Sequence, residues 1–82
     1  MILTANGGEV RKVMWAGRRG APDLRVMHPK MTCWVEMKAP TGFLSIVQKV
    51  EHAKMQSYNE NIFVISSIGD LLAFLALLEI EL

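Results

Sequence analysis

The sequence lacks the features that several common protein classes require. It has one cysteine, Cys33, so it cannot form an internal disulfide and offers no cysteine and histidine spacing for a zinc site. The longest apolar run, 71–78, falls well short of the roughly 20 residues that span a bilayer, and the N-terminus turns polar after three apolar positions. We therefore expect a cytoplasmic protein with no membrane partner and no small-molecule cofactor.

The apolar content is high for a chain of this size. Hydrophobic residues make up 51% of the 82 residues, and the mean hydropathy is +0.25. A single small domain spanning 1–82 cannot readily cover that much apolar surface with its own core. We expect a homodimer, in which a second copy covers the remainder.

The charge is unevenly distributed although the net value is only +1. Residues 1–38 hold seven Lys or Arg against three acids, and the remainder holds two against five. This asymmetry predicts a basic surface suited to phosphate groups.

The pattern along the chain predicts an α/β fold in the order β-β-β-α-β-α. Alternating residues indicate strands in "EVRKVMWAG", "LRVMH" and "TCWVEMKA", separated by a Gly- and Pro-containing loop and a short turn. Ser45 and Gln48 form a capping box that opens a helix ending near Asn59. The apolar strand "NIFVIS" follows, and its lack of polar alternation predicts that both of its faces are covered. A last helix is capped by Ser67. A helix between the third and fourth strands makes those two parallel, which gives a mixed sheet flanked by helices.

Three charged residues are candidates for a hydrolytic site. Glu36 and Lys38 share one face of their strand, and Asp23 begins the neighbouring strand. Two carboxylates on adjacent strands can bind one hard cation, Mg²⁺ or Mn²⁺, with the backbone carbonyl of Met37 as a further ligand. Lys38 would then orient or deprotonate a water, or stabilise developing charge. Taken alone, a Glu-x-Lys pair is usually a surface ion pair.

Together, "GRRGAPDLRV", "WVEMKAPTGFLSIVQKVEH" and "NIFVISS" resemble the VRR-NUC branch of the PD-(D/E)XK nuclease superfamily, in the small standalone form found in phages. The resemblance runs from about Gly8 to Ser67. It implies a restriction-endonuclease-like core in which Asp23 and Glu36 bind the metal and Lys38 is the catalytic lysine. It also implies that Gln48 is the glutamine at the start of the following helix, and that the protein is a homodimer cleaving branched or flapped DNA.

The sequence departs from the family pattern at one place. Its members usually carry a further glutamate on a helix before the Gly-Gly pair, whereas residues 1–8 contain no acid. Either the start is cut back, or the protein works without that ligand, or its catalysis is impaired. Glu9 is a poor substitute because it follows the glycines.

The remaining polar residues divide into phosphate contacts and bystanders. Lys12, Arg18 and Arg19 are predicted to contact a DNA backbone, with a solvated loop as the alternative. For Gln48, the capping box and a role in the site are equally good explanations. His28 and His52 have no partner at ligand spacing and are interpreted as bystanders.

The sequence thus predicts a metal-dependent endonuclease acting on branched DNA, a four-way junction or a flap. The alternatives are a catalytically impaired DNA-binding module on the same scaffold and a purely structural dimer.

Overall fold

In the part of the chain that the structure describes, four strands and two helices build the fold, in the order that the sequence predicts. The computed structural model describes residues 5–17, 19–39 and 41–80. The elements are β1 (Glu9–Lys12), β2 (Leu24–His28), β3 (Met31–Met37), α1 (Ile46–Ser57), β4 (Ile62–Ile65) and α2 (Ile68–Leu77).

The strands form one mixed sheet in the order β1-β2-β3-β4. β1 pairs with β2 and β2 with β3 in antiparallel fashion, whereas β3 and β4 run parallel. The parallel pair is the expected consequence of α1, which returns the chain to the end of the sheet where β3 began. The predicted meander and crossover are both confirmed.

The main hydrophobic core lies between one face of the sheet and α2. Cys33 and Val35 are fully buried on β3, because alternate residues of this strand point to that face. Burial raises the pKa of the Cys33 thiol to about 11, so the thiol stays protonated and behaves as a small apolar side chain. The core consists of Val26, Cys33, Val35, Ile65, Phe74, Leu75, Leu78 and Ile80.

The opposite face of the sheet carries α1 and a second, more polar layer. Trp34 is buried there, with Trp15 at 5.0 Å between ring centroids and the Arg25 guanidinium 4.7 Å from its ring centre. Arg25 also pairs with Glu60 at 3.3 Å. The two tryptophan rings are tilted by 46° relative to each other, and such contacts between aromatic rings and with a guanidinium stabilise this layer.

Both helices begin at the predicted caps. The Ser45 hydroxyl accepts a hydrogen bond from the Gln48 backbone N–H, and the Gln48 side chain accepts one from the Ser45 backbone N–H, which completes the capping box. At α2 the Ser67 hydroxyl accepts from the Asp70 N–H, and the Asp70 carboxylate accepts from Ser66. The pKa of Asp70 is lowered mainly by the Ser66 backbone hydrogen bond.

Two sequence expectations about the strands were wrong in detail. The first strand ends at Lys12 rather than near Gly17. Beyond it, the Val13 N–H donates to the Asp23 carbonyl and the Trp15 indole N–H donates to the Pro22 carbonyl. β4 was expected to be covered on both faces, yet it is an edge strand and Val64 is 38% exposed. Within the described ranges, no helix is long and apolar enough to cross a membrane.

Candidate functional site

The two predicted carboxylates, Asp23 and Glu36, meet where β2 begins and β3 ends. The register pairs Leu24 with Val35, so one step further along the same antiparallel ladder Asp23 lies opposite Glu36. Directly opposed residues have Cβ atoms about 5 Å apart. Both side chains share the face of the sheet that carries Trp34, as the alternation along β3 requires.

Two hydrogen bonds fix the backbone around Asp23. Its carbonyl accepts a hydrogen bond from the Val13 N–H at 2.7 Å, and the preceding Pro22 carbonyl accepts from the Trp15 indole at 2.8 Å. Pro22 itself is almost completely buried. The loop that carries Asp23 is therefore anchored to the segment that follows β1, which keeps the carboxylate beside the strand end.

Glu36 is a buried carboxyl with charged neighbours of both signs. It is 9% exposed. Burial raises its pKa above the ordinary value, and the negative charge of Asp23 raises it further, while Lys38 and His52 lower it. Burial is the main cause of this rise, and a cation bound beside Glu36 would favour the ionised form.

Lys38 lies next to this pair, one residue beyond β3. Its backbone N–H donates to the Ile65 carbonyl at 2.9 Å, so the strand pairing continues to this residue and keeps its side chain on the Glu36 face. The side chain is half-buried. Met37, between the two, points to the other face. Its side chain is 53% exposed and is therefore only partly packed. The role of its carbonyl as a ligand stays a prediction.

Gln48 serves the helix cap and the site at once. Its Oε1 accepts from the Ser45 backbone in the capping box, and its Nε2 donates to Oε1 of Glu36 at 3.4 Å. The sequence left these two explanations equally open, and the geometry shows that one side chain meets both. The cap thereby fixes the amide that contacts the acid.

His52, which was interpreted from the sequence as a bystander, belongs to the same cluster. It lies one helical turn after Gln48, is 5% exposed, and places Nε2 at 3.6 Å from Oε1 of Glu36. His52 was not predicted as part of the site because it has no partner residue at metal-ligand spacing. The available signal was its helical position, because residues four apart lie on the same face of a helix. His28 accepts a hydrogen bond from the Lys30 backbone and lies at the far end of β2.

The three residues predicted to contact phosphate do not all lie on the face of the sheet that carries Glu36. Arg19 is exposed on the loop before Asp23. Lys12 pairs with Leu24 in the register, which places it on the face opposite Glu36. Arg18 lies outside the described residues. Of these three, Arg19 is the one that lies within the described residues on the loop leading to Asp23.

The loop that carries Arg19 packs directly on the start of α1. Gly20 adopts a positive φ of 80°, and a Cβ added there would lie 2.6 Å from the carbonyl oxygen of Val47 and 2.9 Å from the Cα of Gln48. Only glycine permits this approach. The loop and the first turn of α1 therefore hold each other in place beside Glu36.

The donor atoms suit a hard divalent ion, although they form an incomplete set. Asp23 and Glu36 offer carboxylate oxygens, which Mg²⁺ and Mn²⁺ prefer. Among the described residues, no three His, Cys, Asp or Glu side chains are grouped to hold a metal ion. Glu9 cannot complete the set, since it pairs with Arg11 at 3.1 Å at the far end of β1. The residues fit an ion that keeps several water ligands.

Comparison with known proteins adds one informative match. No family model and no curated protein matches the chain. A solved structure described as "VRR_NUC domain" superposes with a TM-score of 0.79 at 32% sequence identity. The match covers 90% of this chain and 82% of that one.

Proposed function

The chain belongs to the VRR-NUC family and has its nuclease-type fold, and from this premise we propose that it is a metal-dependent DNA endonuclease. We propose that it hydrolyses phosphodiester bonds in branched DNA as a homodimer. One observation carries the proposal: the register that pairs Leu24 with Val35 sets Asp23 opposite the buried Glu36, with Lys38 alongside.

The proposed roles follow from the charges of these side chains. Asp23 and Glu36 would hold Mg²⁺ or Mn²⁺, with the Met37 carbonyl as a further oxygen ligand. The ion, when bound, supplies Lewis acidity and offsets the charge that develops on the phosphoryl group. Lys38 would orient the attacking water or stabilise that charge. The water oxygen bonds to phosphorus, one P–O ester bond breaks, and the products are a phosphate monoester and a hydroxyl.

DNA binding is proposed to involve the basic loop before Asp23. Loop arginines can hold phosphate oxygens with bidentate hydrogen bonds. Exposed Arg19, together with Arg18, would contact the backbone, and neither residue implies base-specific recognition. Lys12 is left out of this proposal because it lies on the other face of the sheet. This binding would be strongest at low salt.

Incubation of the protein with DNA tests the proposal directly. We expect cleavage of four-way or flapped DNA, in preference to a linear duplex of the same length, with Mg²⁺ or Mn²⁺ and not with EDTA. DNA binding without cleavage of any substrate would support the alternative of an impaired DNA-binding module. That alternative is favoured by one observation, the two-carboxylate site without a third acidic ligand among the described residues.

The homodimer is proposed from apolar surface that one copy leaves uncovered. On α1, Ile46 and Val50 are 80% and 63% exposed and lie with Ala53 on the side of the helix opposite Gln48 and His52. Such a stripe is costly in water unless it is covered. A second copy on this side would relate two sites by a twofold axis, which suits cleavage of both strands of a symmetric junction.

Light scattering during gel filtration measures the dimer. We expect a mass twice the 9.2 kDa of one chain and a shift towards the monomer for Val50→Glu, because the new charge would be buried in the interface. Gln56→Glu adds the same charge to an exposed position of the same helix and should leave the mass unchanged. A wild-type monomer at assay concentrations would contradict the dimer and leave the nuclease proposal standing.

A further inference from the structure

His52 and Gln48 act on the same oxygen of Glu36. The Gln48 amide lies 3.4 Å and the His52 Nε2 lies 3.6 Å from Oε1 of Glu36. The two side chains are one helical turn apart, so both extend from the same side of α1 towards the end of β3.

The surroundings of His52 favour a polar role over simple packing. Its Nε2 is buried and has no hydrogen-bond partner among the described residues. An unsatisfied buried polar atom is destabilising, whereas an apolar side chain of similar size would fill the space without that cost. A shift of about half an ångström would turn the 3.6 Å approach to Glu36 into a hydrogen bond.

We propose that His52 is a positioning residue for Glu36. With Gln48 it would fix Oε1 and so orient the carboxylate, leaving Oε2 to bind the divalent cation beside Asp23. The inference rests on the proposed metal-dependent function and assigns to α1 the support that the two-carboxylate site needs. Partners that orient a metal ligand in this way typically change metal affinity by about 10- to 100-fold when they are removed.

Calorimetric titration of the purified protein with Mn²⁺ alone tests this role separately from catalysis. We expect His52→Met, which is apolar and of similar length, to bind Mn²⁺ at least about tenfold more weakly than wild type. His52→Gln keeps an N–H donor and should recover most of that loss. His28→Met removes the other histidine, far from Glu36, and should bind Mn²⁺ as wild type does. DNA cleavage at subsaturating Mn²⁺ should follow the same order.

Urea unfolding of each variant separates positioning from packing. If His52→Met unfolds, His52→Leu replaces it in the comparison with His52→Gln. Wild-type Mn²⁺ affinity in a folded apolar variant would overturn the inference while leaving the nuclease proposal intact. Equal loss in the Gln and the apolar variants would also overturn it, because packing alone would then explain the effect. A wild-type protein that neither binds Mn²⁺ nor cleaves DNA would overturn the proposed function and the inference together.

Discussion

Replacing Glu36 with glutamine is expected to lower the rate of DNA cleavage by at least about 10³-fold, or ~4 kcal/mol of transition-state stabilisation. Glutamine keeps the shape of the side chain and removes the negative charge that the cation requires. The substitution should leave the protein folded, because the ionised carboxylate is buried and faces Asp23.

The stability of this variant gives a second, independent readout. The pKa of Glu36 is raised in the fold, first by burial. A raised carboxyl pKa means that ionisation favours the unfolded chain, so at neutral pH the charge of Glu36 opposes folding. We therefore expect the free energy of unfolding of Glu36→Gln in urea, without metal, to equal or exceed that of wild type. Activity and stability would thus move in opposite directions at this position.

Glu60→Gln is the matched control for Glu36→Gln. It makes the same chemical change in an acid that pairs with Arg25, away from Asp23. We expect near wild-type cleavage and a loss of at most about 1 kcal/mol in unfolding free energy. Wild-type cleavage by Glu36→Gln, or equal loss in both variants, would contradict the assignment of Glu36.

Substituting Gly20 with alanine is expected to lower the free energy of unfolding strongly, although the change adds only one methyl group. Its φ of 80° disfavours an L-residue by about 1–2 kcal/mol. The added Cβ would also lie 2.6 Å from the Val47 carbonyl oxygen, and overpacking of this kind costs a further 1–3 kcal/mol or so. The total of about 2–5 kcal/mol is a large part of the 5–15 kcal/mol typical of a folded domain.

Gly17→Ala separates the two causes, since Gly17 also has a positive φ, of 72°, yet nothing lies within 4 Å of its added Cβ. We expect Gly17→Ala to lose only about 1–2 kcal/mol in urea unfolding. Gly20→Ala should also cleave DNA more slowly at temperatures where it is folded, because the displaced first turn of α1 moves Gln48 away from Glu36. Equal unfolding free energies for the two variants would show that the contact with α1 is unimportant.

Local patterns in the sequence were sufficient to predict the elements and the face that carries the site. Alternation along "TCWVEMKA" separates Cys33 and Val35 from Trp34 and Glu36, and the structure has them on opposite faces. The capping box at Ser45 needs only residues three apart. Such features depend on the nearest neighbours along the chain, which is why sequence alone reveals them.

The features that sequence did not reveal depend on contacts between distant segments. The positive φ of Gly20 could be guessed from a glycine in a loop, but its contact with Val47 could not. The end of β1 at Lys12 could not be predicted either, because the alternation continues beyond it and the Trp15 hydrogen bond to Pro22 is not readable from the pattern. His52 was missed for a different reason, because histidine was considered only as a metal ligand and not as a partner of a carboxylate.

The site has few protein ligands for a metal ion, and the groups around those ligands hold them in place. Two carboxylates on strand ends leave a bound ion with most of its water ligands. Gln48 and His52 on α1, and Gly20 beneath its first turn, surround Glu36 with groups whose positions are fixed by the fold. Precise placement of few ligands is the feature that the proposed variants probe.

A crystal structure of the protein soaked with Mn²⁺, with anomalous data recorded to locate the metal, tests the central claim most directly. We expect a Mn²⁺ peak bound by carboxylate oxygens of both Asp23 and Glu36, and its loss in Glu36→Gln. A protein that cleaves DNA in Mn²⁺ while its ion lies elsewhere, or an unchanged peak in Glu36→Gln, would contradict it.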